Sequence, residues 1–173
     1  EMLRSLVGSE MCIRDSPFIK KLQMVFDEGL YDPANEPDIA YAHLFSYFRG
    51  EEWRTQKETQ RLLDKYFTTK PNGIPGNDDT GTMSAWAIFN MIGFYPDCPG
   101  LPEYTLTTPV FNKVTIRLDP KWYKEKELVI ESNRTQPGTL YINKVLLNGK
   151  KFNQYRITHD ELVHSQRILF DLK

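Results

Sequence analysis

The chain changes its hydrophobic period once, near residues 99–103, and that change rules out most architectures. Upstream, apolar residues recur three and four positions apart, the repeat that lines one face of a helix. Ser16-Pro17, a capping hydroxyl followed by a first-turn proline, predicts a helix start. Phe18, Ile19, Leu22, Val25 and Phe26 continue that helix to about Gly29. Tyr41, Leu44, Phe45 and Phe48 predict a second helix, opened by the two-proline loop 31–38 and closed by Gly50. Leu62, Leu63, Tyr66 and Phe67 predict a third over residues 52–67, with Lys57, Gln60, Arg61 and Lys65 turned outward. A fourth carries Met83, Trp86, Ala87, Met91 and Phe94 on a broad apolar face, and Pro96 forbids its continuation.

Downstream the period falls to two, that of half-buried strands. Val114, Ile116 and Leu118 alternate with polar residues, as do Leu128 and Ile130, Leu140 and Ile142, Val145 and Leu147, and Ile168, Phe170 and Leu172. Asn148-Gly149 predicts a two-residue hairpin turn, because both central positions need positive φ. Thr158 with Glu161 three residues on predicts a capping box and one short helical turn. Helices first and strands second imply a segregated α+β protein rather than an interleaved α/β sheet. The expected division is a helical part over residues 17–100 and an antiparallel, sandwich-like β region over 101–173.

Residues 1–16 fall outside that pattern. They have no cationic start followed by a long apolar run, so they do not read as a signal peptide, and they carry no sustained period. They resemble translated adapter sequence and are expected to be non-native, Cys12 with them. Cys12 and Cys98 are too few and too far apart for a disulfide framework or a zinc site. Twenty-two basic against 23 acidic residues argue against a nucleic-acid or membrane-surface partner, and no apolar run is long enough for a membrane span.

Two oxygen-rich loops precede helices. In the 71–81 loop, Gly76-Asn77-Asp78-Asp79-Thr80-Gly81 delivers two adjacent carboxylates to a helix start. A general base needs a carboxylate held in place with access to water, and unsatisfied helix N–H groups can hold it. A plain helix cap explains the same residues and is the commoner outcome for such a pair. A calcium loop of the EF-hand type fails, because Ala87 stands where the bidentate glutamate belongs. The second loop is Asn35-Glu36-Pro37-Asp38, whose amide and carboxylate oxygens suit a hard cation or, again, a cap. In a toroid of antiparallel helix pairs two such loops converge on one rim. Trp86, Tyr95 and Trp53 could each stack on a sugar, although aromatics at helical spacing more often pack in a core; His43 reads as packing. Asn133-Arg134-Thr135 fits an N-glycosylation site, relevant only to a eukaryotic secretory setting.

The string GIPGNDDTGTMSAWAIFNMIGFYP, with NEPDIAYAHLFSYF before it and PEYTLTTPVFNKVTI after it, resembles glycoside hydrolase family 92, the calcium-dependent inverting exo-α-mannosidases. The resemblance covers residues 17–173 and implies the last part of an (α/α)6 barrel followed by its C-terminal β region. It implies that Asp79 is the general base, with Asn77 at a helper position that is acidic in some members and Asp78 between them. It implies that Glu36 and Asn35 belong to a Ca²⁺ site holding the 2- and 3-hydroxyls of mannose, and it leaves Trp86 as a substrate-facing aromatic. The activity implied is release of terminal α-linked mannose, α-1,2 being the expected linkage, from mannose-containing glycans outside the cytoplasm: periplasmic, at the cell surface or secreted. Many members have a histidine four residues after the glutamate; here the position is Ala40, which leaves the linkage preference open.

Inversion requires a second carboxyl group to protonate the leaving oxygen, about 6.5–9.5 Å from the base. No match to the family's acid motif occurs in the chain, nor to its large upstream β-sandwich. The expectation is therefore a C-terminal fragment of such an enzyme, inactive by itself. The competing readings are a non-catalytic carbohydrate-binding module whose acidic loops are structural caps, and a helical-toroid hydrolase for a different sugar.

Overall fold

The computed structural model describes residues 11–136 and 138–173; the side chains of residues 11–15, 36 and 37 lie outside that description. Helices occupy the first half: α1 (Met11–Asp27), a 3₁₀ segment (Glu36–Tyr47), α2 (Glu52–Tyr66) and α3 (Thr82–Ile92). Strands follow as β1 (Phe94–Tyr95), β2 (Glu103–Leu106), β3 (Lys113–Arg117), β4 (Glu127–Arg134), β5 (Ile142–Leu147), β6 (Lys150–Phe152), β7 (Arg156–Thr158) and β8 (Arg167–Leu172). The short helix α4 (His159–Val163) separates the last two. The segregated α+β order matches the change of period.

Three local expectations are corrected. Helix α1 runs through Met11–Asp27, with Pro17 inside it rather than at its first turn. Proline there removes one backbone donor but leaves the next turns free to form. The residues around the second predicted helix form a 3₁₀ segment instead of an α-helix. Three residues per turn stack side chains at i and i+3, and burial follows that repeat: Ala42 and His43, then Phe45 and Ser46. Finally, Leu140 and Ile142 do not make a strand separate from Val145 and Leu147. One strand, β5, runs from Ile142, and a register shift between Ile142 and Lys144 moves its buried face from the even to the odd positions.

The strands form two sheets, ordered β1-β2-β7 and β3-β4-β8-β5-β6. All pairings are antiparallel except β4 with β8, which run parallel from Val129–Arg167 to Arg134–Leu172. The expectation of a wholly antiparallel region is thus corrected at its centre. The parallel pair is possible because helix α4 and the strands before it supply a long connection. Leu128, Ile130, Ile168, Phe170 and Leu172 on these central strands are each at most 2% exposed. Each such burial contributes about 1.5–3 kcal/mol. The Asn148-Gly149 turn has both residues at positive φ, and the Thr158–Glu161 capping box is complete.

Two apolar clusters result. One gathers Leu22 and Phe26 of α1, Ala42 and Phe45, Leu62 and Leu63 of α2, and Trp86 of α3. The other is shared by both sheets and includes Phe94, Leu106, Ile130, Ile157 and Phe170. Strand β1 sits between them: Phe94 enters the sheet cluster and Tyr95 the helical one. Polar bonds cross the same boundary. Arg156 of β7 donates to both carboxylate oxygens of buried Asp97 at 3.2 and 3.3 Å, and Tyr47 of the 3₁₀ segment donates to Asp97 at 2.8 Å. The Thr105 hydroxyl donates to Asp97 at 2.7 Å and lies 3.1 Å from the Ser46 hydroxyl.

Candidate active site

The 71–81 loop enters α3 through three consecutive residues with positive φ: Asp79 at 46°, Thr80 at 61° and Gly81 at 95°. Left-handed backbone at two non-glycine residues costs of order 1–3 kcal/mol each and persists only where the surroundings impose it. Asp78 supplies that constraint. Its main-chain oxygen accepts from the N–H groups of Gly81 (3.1 Å) and Met83 (3.2 Å). Its carboxylate accepts from the Ser84 N–H at 2.7 Å and the Ser84 hydroxyl at 2.8 Å. Both carboxylate oxygens of Asp78 are therefore committed to the first turn of α3.

Asp79 is held differently. Its carbonyl accepts from the Thr82 hydroxyl at 2.8 Å, which anchors the backbone. Its carboxylate is exposed and has no hydrogen-bond or ion-pair partner among the described residues. Two adjacent carboxylates of identical chemistry thus have different employment, one structural and one facing solvent. Asn77 is exposed beside them.

The second loop lies against the first. Gly76 has φ of +64°, and a β-carbon there would stand 2.6 Å from Ala34 Cβ and 3.2 Å from Ala34 Cα. The residue before Asn77 therefore touches the residue before Asn35. Asn35 occupies the cap position of the 3₁₀ segment but makes no capping bond, and its side chain is exposed. The loop is closed by Asp32 and Asp38 instead: Asp32 accepts from the Ala34 N–H at 2.9 Å, and Asp38 accepts from the Asp32 N–H at 3.3 Å. The Glu36 side chain lies outside the described residues. Trp86 ties the two helical elements together by donating its indole N–H to Ile39 O at 2.9 Å.

That bond also corrects Trp86 as a sugar platform. The ring is 1% exposed, stacked on Phe67 with centroids 5.4 Å apart and flanked by His43 and Tyr95. No open face remains for a ligand. His43 packs as expected, fully buried, with Nε2 2.9 Å from Asn90 Oδ1 and its ring stacked on Tyr95 at 4.4 Å. Burial holds the His43 imidazole below its usual pKa and so keeps it neutral. Burial, with Asp38 second, raises the Tyr31 phenol beneath the 31–38 loop.

Sequence reasoning missed the Gly76–Ala34 contact and the role of Ser84. The contact joins positions 42 residues apart (76 − 34) and leaves no local trace. The Ser84 partnership had a weak one, a hydroxyl at the third helical position. Among the described residues the assembly does not complete a calcium shell, the Glu36 side chain lying outside them. Ca²⁺ takes six to eight oxygen ligands, and the described residues contain no group of three or more His, Cys, Asp or Glu suited to a metal.

Residues 9–173 match the family described as the Glycosyl hydrolase family 92 catalytic domain. The chain is similar to the solved family GH92 alpha-mannosidase BT3965 from Bacteroides thetaiotaomicron, with 30% identity, a TM-score of 0.83 and coverage of 92% of this chain and 22% of that one. The same enzyme in complex with mannoimidazole aligns with 31% identity and a TM-score of 0.75, over 83% of this chain and 18% of that one. The family GH92 inverting mannosidase BT2199 from the same organism is 33% identical, with a TM-score of 0.73, over 87% and 20% of the two chains. A curated relative from Arthroderma benhamiae, described as an uncharacterized secreted glycosidase, is 28% identical over 145 residues, 84% of this chain and 18% of its own length. The chain thus spans about a fifth of the length of these relatives. With the family match running through both loops and both sheets, the chain belongs to glycosyl hydrolase family 92.

Proposed function

We propose that this chain supplies the water-activating half of an exo-α-mannosidase site, with Asp79 as the general base. What supports the reading is the division of labour at the 71–81 loop: Asp78 is fully engaged by Ser84, while the Asp79 carboxylate stands exposed and unpartnered among the described residues. A base needs that availability, together with an anchored backbone. The relatives named above as α-mannosidases, one of them bound to mannoimidazole, support a substrate class of glycans ending in α-linked mannose; α-1,2 is the linkage we propose.

In the proposed reaction Asp79 takes a proton from water as its oxygen attacks the anomeric carbon. A second carboxylic acid, on the opposite face of the sugar, gives its proton to the departing glycosidic oxygen, and the product has inverted configuration. We place that acid in the part of the relatives' length that this chain does not span. Asn77 borders the attacking water and Asp78 keeps the loop rigid. Asn35 and Glu36 are read as contributors to a calcium shell that the described residues do not complete, so no step here depends on the ion. In this reading the helices form part of an (α/α)6 barrel, and the enzyme works in the periplasm, at the cell surface or as a secreted protein.

The test is NMR detection of the first anomer released from a methyl-α-mannobioside by an enzyme of the relatives' length carrying these residues. The β-anomer is expected first, with Asp79→Asn lowering kcat by about 10²–10⁴-fold. Asp78→Ala, which removes both acceptors of the Ser84 bonds, is expected to cost about 0.5–2 kcal/mol of stability and far less of the rate. The 173-residue chain by itself is expected to release no mannose. Unchanged turnover in Asp79→Asn overturns the assignment of the base; calcium-dependent sugar binding without any turnover favours a carbohydrate-binding module with structural acidic loops.

A further inference from the structure

A second concavity, sharing no residue with the 31–38 and 71–81 loops, opens where the start of α2 meets the end of the five-stranded sheet. Its volume is about 530 Å³, within the range of about 300–1,000 Å³ usual for ligand pockets. Trp53, Tyr141 and Tyr155 supply its apolar surface, and Gln56, Glu52 and Lys173 its polar groups. The position of each is enforced. Lys173 and Tyr141 exchange both backbone hydrogen bonds, at 2.8 and 3.1 Å, which sets their side chains at the sheet margin. Arg54 lies over one face of the Trp53 ring, 4.5 Å from its centroid, and fixes the indole. Trp53 and Tyr141 then meet at 72° with centroids 6.3 Å apart, an aromatic corner in which the indole remains 39% exposed.

Gln56 carries the inference furthest. It is 2% exposed, and its Oε1 accepts the Ile142 N–H at 2.9 Å, which fixes the orientation of the amide. Its Nε2 donor has no partner among the described residues, although the side chain lines the cavity. With its oxygen committed to Ile142, the amide donor at the cavity wall is the group left for a ligand acceptor. The hydroxyls of Tyr141 and Tyr155 make no hydrogen bond among the described residues, and the Tyr155 phenol feels the Glu52 carboxylate. Glu52 holds the Gly50 N–H at 2.8 Å with one oxygen and so stays in place at the rim.

We infer that this cavity binds a neutral pyranose ring. The chemistry is selective for that class: aromatic surface suits the C–H face of a sugar, while fixed donors and acceptors around it suit hydroxyls. One carboxylate and one ammonium balance each other, so neither an anion nor a cation gains net charge complementarity. The site is independent of whether Asp79 acts as a base.

The three tryptophans give a direct test in the full chain labelled with 5-fluorotryptophan. Trp86, in the helical core, reports folding, and Trp122, 71% exposed, reports non-specific effects. The resonances are assigned with Trp53→Phe and Trp122→Phe. Titration with methyl α-mannopyranoside and methyl β-glucopyranoside to about 100 mM should shift the Trp53 resonance saturably and leave the other two unmoved. Gln56→Glu, which keeps an acceptor for the Ile142 N–H but removes the free donor, should weaken binding at least tenfold while the Trp86 resonance stays at its folded position. Lys173→Ala, which leaves the backbone pairing intact, should weaken it several-fold. No saturable shift of Trp53 with either glycoside in the folded chain overturns the inference. Tighter binding of an acidic or basic probe, sodium acetate or methylammonium, overturns the assignment to a neutral ring.

Discussion

Replacing Gly76 by alanine tests whether the two loops are held together by contact at that point. The substitution introduces two costs. An alanine at φ +64° incurs the left-handed penalty, about 1–2 kcal/mol, offset by about 0.4–1 kcal/mol through restriction of the unfolded chain. The new methyl also meets Ala34 Cβ at 2.6 Å and Ala34 Cα at 3.2 Å. Neither atom can rotate away, because both are fixed to the backbone of the 31–38 loop. Overpacking of this kind costs about 1–3 kcal/mol. Gly29→Ala separates the two costs: Gly29 has φ of +71°, and no atom lies within 4 Å of the point its new methyl would occupy. The backbone penalty is nearly common to both variants, so their difference isolates the loop–loop contact. In urea unfolding, a difference of about 2 kcal/mol and a slope of about 2 kcal/mol/M would set the Gly76→Ala midpoint about 1 M below that of Gly29→Ala. Adding Ala34→Gly to Gly76→Ala should recover most of that gap, since it removes the nearer atom. Equal midpoints for the two single variants would refute the reasoning and separate Asp79 from Asn35.

Two further perturbations probe the joint between the layers. Arg156→Met leaves Asp97, a side chain 1% exposed, without its guanidinium, and breaking a buried pair from one side costs about 3–5 kcal/mol; chemical denaturation should show that loss, and the double variant with Asp97→Leu should recover part of it. His43 is buried neutral, with a folded pKa below its usual 6.5, so the unfolded state takes up the proton first. Stability contributed by His43 is therefore full above about pH 6.5 and declines as the pH falls towards the folded value. The stability-versus-pH slope below about pH 6.5 should flatten in His43→Gln, and an unchanged slope would remove His43 from the acid response.

The sequence made the segregated architecture legible because a hydrophobic period reports which face of an element is buried. It worked best where backbone and side chain agree, as at Ile168, Phe170 and Leu172, at Asn148-Gly149 and in the Thr158–Glu161 box. It failed where tertiary contacts override the period. The 3₁₀ segment keeps apolar residues at spacings that serve an α-helix equally well, and β5 changes its buried face through a bulge that alternation cannot anticipate. The buried polar residues Thr55, Gln56, Glu58 and Thr59 of α2 gave no sign of burial, because polar residues on a helix are ordinarily read as solvent-facing. At the candidate site, two loops of the right composition were visible, but not their contact through Gly76 and Ala34. The separate duties of Asp78 and Asp79 depend on Ser84 and three left-handed residues, neither of which a carboxylate pair announces.

Strand β1 has a consequence for how the protein comes apart. Phe94 and Tyr95 are neighbours on the chain, yet each is committed to a different cluster, and they pair with Leu106 and Thr105 across two residues only. There is no slack segment between the commitments, so loosening of either cluster tugs directly on the other. Amide exchange should therefore find a single cooperative unit: the N–H groups of α3 and those of β2 and β7 opening together, at one free energy, rather than as helical and sheet foldons released in turn.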